Sequence, residues 1–233
     1  FRSQLLNCHN GKILRMDPAT GNGLPSNPYY DSANPRSAKS RVYGLGLRQP
    51  YRCSIIPNTG STNINDGQPG HIVVSEVGWS TWESVWIVKE KNLNLGWPVF
   101  EGLNRPAALQ SPIYNKDMPN PLYGSGGCNK QYFSFQNLIK NSTLTNPSFP
   151  NPCNNNVQIP ANIPKWKWLP PFINYRHNQN ITQVPALAGD STVPISMSSP
   201  QANVVGAEFK GNAAMAGPWY SGNQFPSNYK NTF

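Results

Sequence analysis

Prolines and glycines cut this chain into short pieces. Its 233 residues include 24 Pro and 19 Gly, the two poorest helix formers, and many of them stand between brief apolar runs. That punctuation predicts an all-β chain with elaborate loops rather than packed helices. Seven Trp, ten Tyr and nine Phe supply apolar bulk for a core, which a disordered chain would lack. The one segment that reads as a helix is short: "YFSFQNLIKNS" at 132–142 allows an amphipathic face with Phe133, Leu138 and Ile139.

Charge narrows the function classes. The net charge is +9, but only 12% of residues are charged and the basic ones are dispersed. Dispersed lysines and arginines describe a solvated basic surface, not a nucleic-acid footprint. No apolar run approaches the length of a membrane span. Among the four cysteines, Cys8, Cys53, Cys128 and Cys153, no pair has CxxC spacing. His9, His71 and His177 are scattered, so a structural zinc site is not expected. Cys128 and Cys153 bracket an Asn- and Pro-rich loop of the kind a disulfide staples. That pairing implies an oxidising compartment, extracellular or periplasmic, and the sequons at Asn141 and Asn180 fit it. Cys8 and Cys53 stay open, free or paired. The first residues, "FRSQLLNCHNGK", and the last, "SNYKNTF", read as cut ends of an internal segment.

Strands recur every 10 to 20 residues. "GKILRMDP" is a short strand closed by an Asp-Pro turn, and "RVYGLGL", "YRCSIIP", "HIVVSEVG" and Ser84 to Lys89 follow. Residues 103–165 are rich in Asn, Pro and Gly with almost no alternation, so 103–171 reads as a loop-rich insertion. "PFINYRH", "VPALAGDSTVPISM", "NVVGAEFKG" and "GPWYSGNQFPSNYKNTF" read as further strand and turn. Within "VYGLGLRQPYRC", Pro50 belongs at a strand edge or end because it lacks a ladder donor. Arg48 and Gln49 before it would project from a strand terminus, where ligands are commonly met.

Taken in order, "GKILRMDP", "NPYY", "VYGLGLRQPYR", "VSEVGWSTWESVWIV" and "LGWPVFEG" resemble motifs of the soluble quinoprotein glucose/sorbosone dehydrogenase family. The resemblance implies part of a six-bladed β-propeller, with blades in 1–102 and 172–233 around the 103–171 insertion, all one domain. It implies pyrroloquinoline quinone (PQQ) and calcium as cofactors. Arg48 and Gln49 would face the quinone, whose carboxylates and carbonyl oxygens suit a guanidinium. The backbone carbonyls of Gly78 and Trp79 would hold the calcium, an oxygen-seeking cation. The implied activity is oxidation of a sugar C1 hydroxyl, with a histidine taking the proton while hydride passes to the quinone.

The departures matter. Gln49 replaces the usual Asn and is one methylene longer. Ser84 and Trp86 stand where an acid and an amide are expected. His9 lies too close to "GKILR" to be the family's base, so no catalytic residue is expected in this segment. Taken alone, Arg48 also reads as a salt-bridged strand end, and Gly78 as a plain turn glycine. Glu76 reads as a brace for the turn, and Glu83 as solvated or structural. Trp82, Trp86 and Trp97 read as core, with Trp79 at a loop tip able to stack on a sugar ring. His177 reads as a structural histidine. The alternative function is a non-catalytic extracellular propeller that binds a glycan or a protein partner.

Overall fold

The computed structural model describes residues 1–232. Its first strands are β1 (Lys12–Leu14), β2 (Val42–Leu45), β3 (Pro50–Ile55), β4 (Ile72–Glu76) and β5 (Trp82–Val88). The region 103–171 adds β6 (Tyr114–Pro119), β7 (Tyr132–Ser134), β8 (Ile139–Lys140), β9 (Pro150–Asn151), β10 (Asn154–Gln158) and β11 (Trp166–Lys167). Three more complete the set: β12 (Ile173–Arg176), β13 (Thr182–Ala188) and β14 (Ser191–Ser196). The two α-helices, α1 (Ala38–Arg41) and α2 (Phe135–Leu138), are single turns.

The chain is all-β, as its composition predicts. Its centre is a six-stranded antiparallel sheet in the order β14-β13-β12-β5-β4-β3. Four two-stranded pairs surround it, and the described residues form no closed ring of blades. Pro50 opens β3, an outer strand of the sheet, where its missing N–H breaks no ladder bond. The region 103–171 leaves the sheet after β5 and returns at β12, and those two strands lie side by side. Their register sets Tyr175 opposite Glu83 and Arg176 opposite Trp82.

That region shares its core with the rest of the chain. Val42, Leu45, Val99 and Phe100 pack with Phe133, Leu138, Ile139 and Trp168 in one buried cluster. Phe100 and Trp168 stack with centroids 4.0 Å apart. A second cluster, Tyr43, Leu47, Ile72, Val74, Trp86, Val88 and Leu95, joins β2 to one face of β4 and β5. Cys128 and Cys153 form the expected disulfide, with Cα atoms 5.4 Å apart. Beside it the amides of Asn120 and Asn151 bond each other. Cys8 and Cys53 are free thiols, and Cys53 is exposed on β3. No helix among the described residues is long and apolar enough to cross a membrane.

Two expected elements take other forms. The helix at 132–142 shrinks to α2, started by a Ser134–Asn137 capping box. It stops because Ile139 and Lys140 leave it to pair in parallel with Trp166 and Lys167. "NVVGAEFKG" forms no strand. There the Thr182 hydroxyl both donates to the Phe209 carbonyl and accepts from its N–H, at 2.9 Å each, doing locally what a ladder partner would do. Of the terminal strand material only a bridge between Tyr220 and Thr232 forms, and Phe233 lies outside the described residues.

Candidate functional site

The site grows from the bend between β2 and β3. Gly46 adopts φ +86, and a Cβ there would lie 2.2 Å from Asn94 Oδ1, so only glycine lets the chain pass. The bend carries Leu47 inward and places Arg48 and Gln49 beside the end of β4. Glu76, the last residue of β4, accepts hydrogen bonds from the amides of Arg48 and Gln49. The Gln49 carbonyl in turn accepts from Val77 N–H at 3.2 Å. Glu76 therefore braces this bend.

The turn that follows is held from both sides. Arg48 Nη1 donates to the carbonyls of Val77 and Gly78 at 3.1 and 2.9 Å. On the other side, Glu101 Oε1 accepts from four successive amides, those of Trp79, Ser80, Thr81 and Trp82, at 2.9 to 3.3 Å. Consecutive amides pointing at one centre make an anion-binding concavity, and here the chain's own carboxylate fills it. Gly78 is required at the crossing, since a Cβ would stand 1.8 Å from the Trp82 carbonyl oxygen.

Beneath the turn lies Glu83, fully buried. Its Oε2 accepts from the amides of Gly78 and Ala214, at 3.2 and 2.9 Å. Its Oε1 meets His177 Nε2 at 2.5 Å. His177, just past β12, is partly exposed, and its backbone N–H donates to the Thr81 carbonyl at 3.0 Å. Above the turn, Trp79 is 43% exposed and meets Trp97 edge-on with centroids 5.8 Å apart. The Arg48 guanidinium carbon lies 5.9 Å from the Trp97 ring, within range of a cation–π contact.

Burial is the largest influence on Glu76 and pushes its carboxyl up to about 8. The amide bonds and the nearby Arg48 charge pull the other way, and Glu83 adds to the rise.

Of the residues singled out from sequence, Arg48, Gln49, Glu76, Gly78, Trp79, Glu83 and Trp97 gather around one turn. Trp82 and Trp86 are core, and Trp86 Nε1 donates to the Leu169 carbonyl at 3.1 Å. Ser84 is buried against Asn174 across the β5–β12 pair, and the polar side-chain atoms of both lack partners. Sequence reading missed Glu101 as the turn's anchor and His177 as the partner of Glu83. The β5–β12 register is what brings His177 there, and region 103–171 separates the two strands in sequence.

These residues suit the two implied cofactors unequally. Arg48 keeps its Nε and Nη2 edge without a partner among the described residues, and Gln49 is exposed. Both suit an anionic quinone. Calcium does not fit the turn as it stands. An ion at about 2.3–2.6 Å from the Gly78 carbonyl would crowd the guanidinium already bonded to that oxygen. Among the described residues no three His, Cys, Asp or Glu side chains cluster as a metal site.

No family model matches the chain. One solved structure aligned with it is the PQQ-bound form of Aldose Sugar Dehydrogenase from Streptomyces coelicolor, at 18% identity and a TM-score of 0.32. The alignment covers 85% of this chain and 42% of that one, and at such low similarity no residue role is taken from it.

Proposed function

We propose that this chain is an extracellular or periplasmic segment of a sugar-oxidising quinoprotein propeller, with its cofactor on the Arg48 and Gln49 face. The observation that supports this reading is the convergence at one turn of residues from three separate motifs. Arg48 and Gln49 come from "GLGLRQP", Glu76 to Trp79 from "SEVGW", and Trp97 from "LGWP".

In this reading the free edge of the Arg48 guanidinium takes a cofactor carboxylate or quinone oxygen through paired donors, and the Gln49 amide adds a neutral contact. When bound, an ortho-quinone accepts two electrons as hydride from a carbinol carbon. Trp79 offers a flat apolar face to a sugar ring. Calcium enters only by displacing Arg48 from the 77–78 carbonyls, and no step here depends on it.

The test is titration of the chain with PQQ, read by quenching of tryptophan fluorescence, followed by aldose-dependent reduction of a dye. Saturable quenching that weakens at least tenfold in Arg48→Ala supports the reading, and no quenching by PQQ overturns it. A second reading, a non-catalytic glycan-binding module, is favoured by one observation: the turn is closed by the chain's own Arg48 and Glu101 while Trp79 stays exposed. It expects binding of an oligosaccharide that is lost in Trp79→Ala and does not depend on PQQ.

A further inference from the structure

Where region 103–171 meets the β13–β14 hairpin, the surface opens into a cavity of about 440 Å³, a size that suits a small molecule. None of the residues around the turn after β4 lines it. Its two walls are clamped together. Asn141 pairs with Thr192 through both halves of its amide, donating to the carbonyl at 2.7 Å and accepting from the N–H at 2.9 Å. The Thr143 N–H adds a bond to the Asp190 carbonyl at 2.9 Å. The cavity is thus built by tertiary structure and does not hang on one loop.

Hydrogen-bond accounting separates the donors of the lining from its acceptors. The Asn141 oxygen is taken by Thr192, and the Gln136 oxygen accepts from Ile113 N–H at 3.1 Å. Asn137 Oδ1 takes both the N–H and the hydroxyl of Ser134, at 2.9 and 2.8 Å. Its Nδ2 remains as the unused end, a group that can only donate. Lys140 gives one bond to the Ser148 carbonyl, at 2.6 Å, and an ammonium has three to give. The Arg105 guanidinium lies over the Phe100 ring at 5.3 Å and makes no hydrogen bond or ion pair among the described residues. The Ser191 hydroxyl has no partner there either. No Asp or Glu lines the cavity, and Asp190, beside Ser191 in sequence, stays outside it. The amide acceptors are spent internally, while the free ends are donors and two of them carry positive charge.

We infer that this cavity binds a small oxyanion, the phosphate or carboxylate group of a small molecule. Arg105 and Lys140 supply the charge, and Asn137 and Ser191 the neutral donors. A guanidinium meets either kind of anion through paired N–H bonds, and the Phe100 ring sets the plane in which it does so. A neutral sugar is a poorer fit, because its hydroxyls donate as well as accept and the side-chain amides keep few acceptors for them. The inference stands apart from the sugar-oxidising reading and does not rest on it.

The test begins with calorimetric titration of the full chain in a low-salt chloride buffer. The probes are inorganic phosphate, glucuronate and, as the neutral control, glucose. One-site saturation by phosphate or glucuronate, with none by glucose, is the expected result. Tighter binding of phosphate assigns the phosphate class, and tighter binding of glucuronate the carboxylate class. Glucose binding as tightly as glucuronate overturns the inference, as does the absence of saturation by either anion. In nitrogen-15 NMR of the parent, the saturating anion should shift the Asn137 Nδ2 and Arg105 Nε signals. Signals that stay unmoved at saturation overturn the inference whatever the variants give.

Three variants then separate a built site from a merely basic surface, on a chain whose net charge is +9. Arg105→Ala should weaken binding by about tenfold or more. Ser191→Asp, which sets a carboxylate in the cavity, should abolish it. Arg52→Ala removes the same charge from an exposed position on β3 that does not line the cavity, and it should leave the affinity close to the parent's. Arg105 is exposed and Ser191 half-buried, so melting curves should match the parent's and show that the variants are folded. Equal weakening in Arg52→Ala and Arg105→Ala overturns the inference, because the anion is then drawn by the surface as a whole.

Discussion

Arg48 and Glu76 show how much one buried charge decides. Glu76 holds its proton in the folded chain up to about 8, whereas in the unfolded chain it ionises near the ordinary carboxylate value of about 4.3. A raised carboxyl means that the folded state binds more protons than the unfolded one across that window. Stability therefore falls as pH climbs from about 4.5 to about 8, and the loss is complete above it. At about 1.4 kcal/mol per pKa unit the swing amounts to several kcal/mol. Glu76→Gln, which keeps an acceptor oxygen for the two amides, should flatten this slope and exceed the parent in stability at alkaline pH, as denaturant melts across a pH series would show. Arg48 makes the opposite kind of prediction. Its Nη1 occupies the Val77 and Gly78 carbonyls, so the parent should give no saturable terbium or calcium signal at this turn. Arg48→Ala frees both oxygens and should gain a weak cation site with Kd on the order of 10⁻⁴ M, read by terbium luminescence sensitised by Trp79. A parent that binds calcium as well as the variant would show that the guanidinium yields easily.

At the scale of elements, the turn after β4 owes four of its amide hydrogen bonds to one side chain from outside it. Glu101 Oε1 gathers the amides of residues 79–82, and removing it leaves four donors short of a partner. Glu101→Ala should cost about 3 kcal/mol or more in a denaturant melt, and Glu101→Gln should recover part of that. None of this was legible in the sequence, because "FEG" carries no sign of the turn it will meet. Elements defined by local pattern were legible. The apolar run of "HIVVSE" became the buried β4, and "ALAGDSTV" became the β13–β14 hairpin around Gly189. Pro50 marked the start of an outer strand. Elements that depend on distant partners were not legible. The parallel pairing of β8 with β11 cut short a helix whose local pattern was sound, and the Thr182 hydroxyl took up backbone groups of Phe209 in a stretch that reads in sequence as strand and turn. The site divides the same way: Arg48 and Gly78 stand out beside Pro and Gly signals, while Glu101 and His177 gain meaning only through tertiary register.

At the scale of the molecule, the loop-rich appearance of 103–171 conceals a structural role. Its aromatic residues complete the core that begins with Val42 and Leu45, so this region is part of the frame and not an appendage. The Cys128–Cys153 disulfide closes a 25-residue separation within it, for which about 3 kcal/mol is the usual scale. Reduction should lower the melting temperature of the whole chain in a single transition, and a separate early transition confined to this region would contradict the shared core. The turn between β4 and β5 has a similar reach. Through Arg48, Glu101, the His177 backbone and, by way of Glu83, Ala214 it ties together four stretches of chain that are remote in sequence. Amides in a surface loop ordinarily trade their protons with solvent within moments, but those of 78–82 can do so only when distant segments let go together. Their isotope-exchange rates should therefore match those of the central strands, making a loop one of the slowest clocks in the protein.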